Sequence, residues 1–454
     1  MQAKHGNIYR RMPFYYGWVM VGAGTIGMLL SIPGQTIGVS VFTDFLIDAL
    51  HLSRDQLSLA YMIGTLSSAA ILSASGVLLD RWGSRRFGSI VAALLGLSLL
   101  VLSYIDGIVD AASRTLTLLP PGLTAMIIMS AGFFLLRFLG QGSLTLVSRN
   151  LPMRWFVKRR GMVSAIVGTF VSFGFNSAPA FFDRLIQAAG WQGAWRISGL
   201  IVLILGVSLY VILVRDNPES VGLKPDGEPA DPGDELTRNL EKHTDAPGDD
   251  AADQVKAPDM SLSEAVKTAR FWVYGLSVGL SSLYITGFTF HVVSIFAEAG
   301  IGRSIAVSVF IPVSIISVIV NALVSFASDF IRLKWILATL LSGLMISMIG
   351  INFLQPGFVF TAIIILGNGL AGGSFNSLTT LTWPRFFGTT HLGAISGFIM
   401  GILVAGSALG PIMLSASLSI AGGYGAAAAV LAGTAALLFL SGMILSEPAA
   451  PGKD

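Results

Sequence analysis

The chain has 454 residues, of which 53% are hydrophobic and only 12% charged, about half of the ~25% charged share of a soluble domain. That balance excludes a water-soluble globular protein, and the absence of cysteine excludes disulfides, thiolate metal sites and thiol nucleophiles. The net charge of +3 conceals an acidic block: residues 216–260 hold 13 acids and 4 bases, or −9, against 24 bases and 12 acids, or +12, elsewhere.

Six apolar segments precede the block, near 16–42, 57–79, 87–106, 123–146, 160–182 and 195–214. Each is close to the ~20 residues that a helix needs to cross a bilayer. The first is too long for a cleavable signal peptide and reads as a spanning helix. Within it, "SIPGQT" places Pro33–Gly34 before Gln35, where a loosened helix exposes backbone carbonyls. "GAGTIG" (22–27) has dinucleotide-binding spacing but lacks the strand and loop context, so helix packing explains it. Tyr61 lies in the second segment and Asn176 in the fifth.

The fourth segment contains "FFLLRFLGQG", with Arg137 about 14 residues in and no acid within several turns. A lone arginine at that depth costs at least ~2.5–3.5 kcal/mol, so it should face the bundle interior or a wet cavity. Its planar fork suits an anion or a proton-carrying group; the structural alternative is donation to helices 1 and 2.

The block itself, rich in Pro, Gly and Asp, reads as a flexible linker. Six further segments follow, near 271–297, 304–327, 335–354, 357–382, 391–416 and 422–445. Tyr284 and His291 in the seventh are seven residues apart on about one face, a polar stripe expected to face a cavity. "GLSVG" (275–279) mimics a nucleophile elbow but sits inside an apolar helix. Asn321 lies in the eighth segment, and Asn368 and Asn376 in the tenth are expected on nearly one face among glycines.

Positive charge gathers on one set of loops: Lys4, Arg10, Arg11, Arg81, Arg85, Arg86, Arg154, Lys158, Arg159, Arg160, Arg332, Lys334 and Arg385. The opposite loops carry mostly acid-matched charges such as Asp183–Arg184 and Glu298–Arg303. The positive-inside rule then places both termini and the linker in the cytoplasm. The halves echo each other, with Asp80 and Asp329 offset by 249 residues, and Pro179 and Pro411 each 27 residues after Pro152 and Pro384. The expectation is an all-α membrane protein with 12 transmembrane helices in two parallel six-helix repeats and a site at their interface. The N-terminal bundle covers 1–215, the acidic cytoplasmic linker 216–260, the C-terminal bundle 261–446 and a cytoplasmic tail 447–454.

"GVLLDRWGSRR" (76–86) resembles the loop 2–3 signature of the major facilitator superfamily through Gly76, Asp80, Arg81, Gly83 and Arg85. "LRFLGQG" is similar to its helix 4 signature through Arg137, Gln141 and Gly142. "FYYGWVMV", "LSRDQLSLAY" and "RFFGTTHLGAISG" resemble bacterial monocarboxylate-transporter-like members. The resemblance implies the major facilitator fold, a role for Asp80, Arg81 and Arg85, with Asp329 as the weaker counterpart, in gating, and a small-anion substrate moved with protons. This chain departs from carboxylate porters of that group, which carry a basic residue in helix 8; helices 1, 8 and 11 have none.

The functional expectation is a proton-coupled secondary active transporter of a small, monocarboxylate-like organic anion, monomeric in the cytoplasmic (inner) membrane. Arg137, Tyr284, His291, Gln35, Asn368, Asn376, Tyr61, Asn176 and Asn321 are candidate substrate-binding residues. The alternative is an antiporter or exporter of neutral or amphiphilic drug-like compounds; a non-transporting membrane sensor is a third reading. No catalytic residues, cofactor, metal or nucleic acid is implied, and the partners are a small molecule, protons and the lipid bilayer.

Overall fold

The computed structural model describes residues 13–115, 117–156, 159–227, 260–328, 330–388 and 392–445. Apolar segments of this length become helices because hydrocarbon leaves no other partner for the backbone N–H and C=O groups. Among the described residues, ten helical stretches are long and apolar enough to cross a membrane, and eleven when the bent pair Thr36–Leu50 and Arg54–Leu72 counts as one. Ile166–Leu213 spans 48 residues and reverses at Gly190 (φ 71°), so dividing it there gives twelve.

In chain order, α1 begins at Gly17–Leu30 and continues through a break to Leu50. The run Arg54–Leu102 folds back at Gly83 (φ 77°) into α2 (54–82) and α3 (84–102). Next come α4 (Pro121–Trp155), α5 (160–189) and α6 (191–213). The second half comprises α7 (Ala269–Glu298), α8 (Arg303–Ala327), α9 (Leu333–Asn352), α10 (Phe358–Phe387), α11 (Leu392–Ala421) and α12 (Gly425–Ile444). Both reversals use glycine because left-handed φ costs it nothing. At Gly83 a Cβ would also lie 2.7 Å from the Asp216 carboxylate.

The helices pack where small residues admit a neighbour's backbone. On α1, two of the three "GAGTIG" glycines form a packing face: Cβ atoms at Gly24 and Gly27 would stand 2.7 and 2.5 Å from Ser148 of α4. Ser277 of "GLSVG" is fully buried and donates to the Val273 carbonyl of its own helix. Equivalent pairs recur: α2 packs on α4 as α8 does on α10, and α3 on α6 as α9 does on α12.

Of the acidic block, residues 216–227 and 260 are among the described residues, and the rest of the expected linker lies outside them. Residues 216–227 fold onto the end of the N-terminal half from which they emerge. The Tyr15 hydroxyl lies 2.9 Å from the Trp155 carbonyl and 3.0 Å from that of Lys224. Backbone N–H groups of Arg85 and Arg159 donate to Asp216 and Asp226, and Val221 is buried. We call this the linker end of the molecule and the opposite one the far end.

Candidate functional site

The site is built on a break in α1. Pro33 lacks a donor for the helical ladder, so Ile32–Gly34 tighten into a single 3-10 turn and Gln35 is extended (ψ 156°). The break lets α1 and α4 touch by backbone: a Cβ on Gly34 would sit 2.2 Å from the Leu136 carbonyl oxygen and 2.7 Å from the Gly140 Cα. Opposite it, Arg137–Leu144 of α4 form a widened π-helical stretch, a feature that collects at functional positions. Gln35 donates to Ser31 Oγ and Thr145 Oγ1, both at 3.0 Å.

Arg137 starts that stretch and is 1% exposed. Its Nη1 donates to Thr36 Oγ1 at 3.0 Å, and its guanidinium carbon lies 5.1 Å from the Tyr61 ring centre. Thr36 Oγ1 is 2.6 Å from the Tyr61 hydroxyl. Thus Arg137 reaches α1 and α2, and both groups it touches are neutral. Nε and Nη2 are buried without a hydrogen-bond partner. Tyr61 in turn packs on Phe290 of α7 at 4.8 Å, so the cluster abuts the seam between the halves.

Tyr284 and His291 point into the C-terminal half. The Tyr284 hydroxyl is 2.5 Å from Ser347 Oγ of α9, and Asn368 Nδ2 of α10 donates to Ser347 at 2.7 Å and to Tyr284 at 3.3 Å. Two turns (seven residues) later, His291 Nε2 is 2.8 Å from the Pro411 carbonyl of α11, and its ring lies beside Tyr424 at 5.6 Å. The residues share a face of α7, but that face meets different neighbours at the two depths. Both are buried, at 2% and 0% exposure, rather than lining one open stripe. Asn368 Oδ1 and His291 Nδ1 are also buried without partners.

Asn368 and Asn376 do not share a face. Eight residues at about 100° each overshoot two full turns by about 80°, and Asn368 is buried while Asn376 is exposed. Asn321 accepts from Ser377 across α8 and α10 at 3.2 Å, and Asn176 donates to the Ser172 carbonyl of its own helix. Among the described residues, no three His, Asp or Glu gather in a way that could hold a metal ion.

At the linker end, Arg85 Nε donates to the Val211 carbonyl, tying the α2–α3 turn to α6, and Arg81 is exposed. The Asp80 side chain and the whole of Asp329 lie outside the described residues. At the far end the structure shows a cluster that the sequence concealed. Arg303 was expected to be balanced by the nearby Glu298; instead, as the first residue of α8, it crosses to the other half. Its Nε is 2.5 Å from Asp183 of α5, Nη1 is 3.8 Å from Asp44, and Nη2 donates to the Val41 carbonyl. Asp44 is held more closely by Arg54, at 2.7 Å. An α5–α8 contact 120 residues apart leaves no local signal; the only hint was an aspartate just past the end of an apolar segment.

The family model of the Major Facilitator Superfamily matches residues 19–411. An uncharacterized MFS-type transporter of Escherichia coli (strain K12), YhjX, is 23% identical over 261 residues, 56% of this chain. The match spans 52% of that relative, about half its length. In fold, the chain is similar to the crystal structure of a bacterial homologue of the human lysosomal transporter Spinster, inward-facing and unoccupied. That likeness has a TM-score of 0.59 and 15% identity, covering 94% of this chain and 91% of that one. It is similar also to the nucleoside transporter NupG, with a TM-score of 0.61 and 13% identity over 93% of this chain and 98% of NupG. By its helices a multi-pass membrane protein, the chain belongs to the Major Facilitator Superfamily.

Proposed function

We propose that the protein is a proton-coupled secondary active transporter of a small, monocarboxylate-like organic anion, working as a monomer by alternating access in the cytoplasmic membrane. The basic loops support a cytoplasmic linker end, with both termini on that side. The observation that carries the substrate class is Arg137: a buried cation with two unpartnered nitrogens beside the seam, and only neutral groups in contact. A buried charge is stabilised when an opposite charge supplies hydrogen bonds to the free donors. One carboxylate matches the vacant edge of one guanidinium. Arg303 at the end of α8 is held by Asp183, and α8 and α11 carry no other basic residue, so a dicarboxylate leaves one charge unmatched.

The test is uptake into proteoliposomes under an imposed pH gradient, against monocarboxylates, dicarboxylates and lipophilic cations. Accumulation of a monocarboxylate is the expected result; movement of cations with no anion uptake overturns the reading.

A second reading, exchange of neutral or amphiphilic compounds, draws on a cavity of about 300 Å³ between α1, α5 and α6. Its lining, including Leu29, Pro33, Ala178, Phe181 and Ile201, is almost wholly apolar. Adding neutral amphiphiles and an Arg137→Lys variant to that assay separates the two, because exchange of a neutral compound does not require Arg137.

A further inference from the structure

Arg149 is a second unneutralised cation within α4. It lies six residues before Trp155, the last residue of the helix, and so about 9 Å inside its end. Among the described residues it has no ion pair, hydrogen bond or ring contact. Its side chain is exposed, yet surrounding protein strips away part of its water. An accessible charge enclosed in this way lines a concave, water-filled space, because an unpaired guanidinium on the lipid face would be costly. Gln141, between Arg137 and Arg149 on the same helix, is exposed as well.

That space opens at the linker end. Among the described residues, the hydrogen bonds and ion pairs that join the halves run from Arg303 to Asp183, Asp44 and the Val41 carbonyl, all at the far end. The π-helical stretch Arg137–Leu144 then explains how the two arginines line up. Twelve residues of regular α-helix would leave Arg149 about 120° round from Arg137. Turns closed by i→i+5 bonds set the following residues back by roughly one position, or about 100°, so the two lie within about 20° of one line. They are ~18 Å apart along it. No small anion touches both at once, so Arg149 is a separate station and not a second jaw of the Arg137 site.

We propose that Arg149 is the anion-receiving station of the linker-end mouth: it draws a small carboxylate from that solution and passes it along the α4 face to Arg137. This rests on the small-anion reading above. The two arginines differ in what they require. Arg149, in contact with water, acts through its charge, which lysine also carries; buried Arg137 acts through its planar fork, which lysine lacks.

The chain has no native cysteine, so Gln141→Cys places a single thiol beyond Arg149, about 12 Å further along α4. In full-length protein in lipid nanodiscs, its reaction rates with anionic sulfonatoethyl and cationic trimethylammonioethyl methanethiosulfonate report the local preference for anions, with no substrate needed. Adding Arg149→Gln should lower the anionic-to-cationic rate ratio by at least about threefold, the effect of one unit charge at that distance in water, and by more where protein excludes water. Arg149→Lys should keep the ratio. In ~1 M salt, which screens charges beyond about 3 Å, the ratio should fall towards that of Arg149→Gln. In proteoliposomes, Arg149→Gln should raise the linker-side KM for a monocarboxylate at least threefold with kcat within about twofold, and Arg149→Lys should restore it. The proposal is overturned if the Gln141→Cys thiol does not react, if Arg149→Gln leaves the rate ratio or the KM unchanged, or if Arg149→Lys is as defective as Arg149→Gln. A rate ratio that falls in Arg149→Gln, with no monocarboxylate transported by the wild type, supports the anion station and defeats only the substrate reading.

Discussion

Gly34→Ala tests whether the α1–α4 contact positions the buried cation. The new methyl would lie 2.2 Å from the Leu136 carbonyl oxygen and 2.7 Å from the Gly140 Cα. Ordinary contact begins near 3.4 Å, so α1 and α4 must separate by roughly 1.2 Å (3.4 minus 2.2). The obstacles are backbone atoms, which cannot rotate aside as a side chain would. Overpacking of this kind costs about 1–3 kcal/mol. It also carries Thr36, two residues on, away from Arg137 Nη1, and a 3.0 Å bond stretched by that amount is no longer a hydrogen bond. Intrinsic tryptophan fluorescence during heating should show a lower melting temperature, and uptake should fall severalfold or more. Gly22→Ala, on the same helix with nothing within 4 Å of its new methyl, should melt like the wild type or slightly higher, because alanine is the better helix former. Wild-type melting and uptake in Gly34→Ala, or equal damage from Gly22→Ala, would refute the reasoning.

Two further outcomes follow from the geometry. Tyr284→Phe removes a hydroxyl held at 2.5 Å by Ser347 and 3.3 Å by Asn368; it should cost about 0.5–1.5 kcal/mol of stability, read as a lower melting temperature with the KM for uptake unchanged. Tyr15, outside the spans, has its phenol pKa pushed up by burial and then by the nearby Asp226 and Glu219. The folded state therefore keeps a proton that the unfolded state releases above pH 10, so stability is full below that value and falls as pH rises past it. Chymotryptic release of the linker should accelerate above pH 10 in the wild type and show no such pH step in Tyr15→Phe, which has no phenol to ionise.

Most of the fold was legible because hydrocarbon imposes simple rules on a sequence. Apolar length marked the spans, and the Pro152/Pro384 and Pro179/Pro411 spacing exposed the repeat. Pro33–Gly34 correctly announced the break in α1, because proline's missing donor is a local property. The site was only partly legible. Arg137 was identifiable by its charge alone, and the neutral hydroxyls beside it, Thr36 and Tyr61, sit on helices 101 and 76 residues away in sequence (137 − 36 and 137 − 61). Helical periodicity placed Tyr284 and His291 on one face, but it does not say which neighbour that face meets at each depth. Asp183–Arg303 was hidden for the same reason: each residue had a sequence neighbour of opposite sign, Arg184 or Glu298, and only tertiary placement selects the partner in the other half.

The central claim is that the two free nitrogens of Arg137 receive a carboxylate. Equilibrium binding of a radiolabelled monocarboxylate to detergent-purified protein tests it, comparing wild type with Arg137→Lys, which keeps the charge but loses the fork. A hydrogen bond to a charged group contributes about 1.5–3 kcal/mol, and each 1.4 kcal/mol is roughly tenfold in Kd. Loss of one such bond therefore predicts binding weakened by roughly 10- to 150-fold in Arg137→Lys, with the fold retained by circular dichroism. Wild-type affinity in that variant would contradict the account.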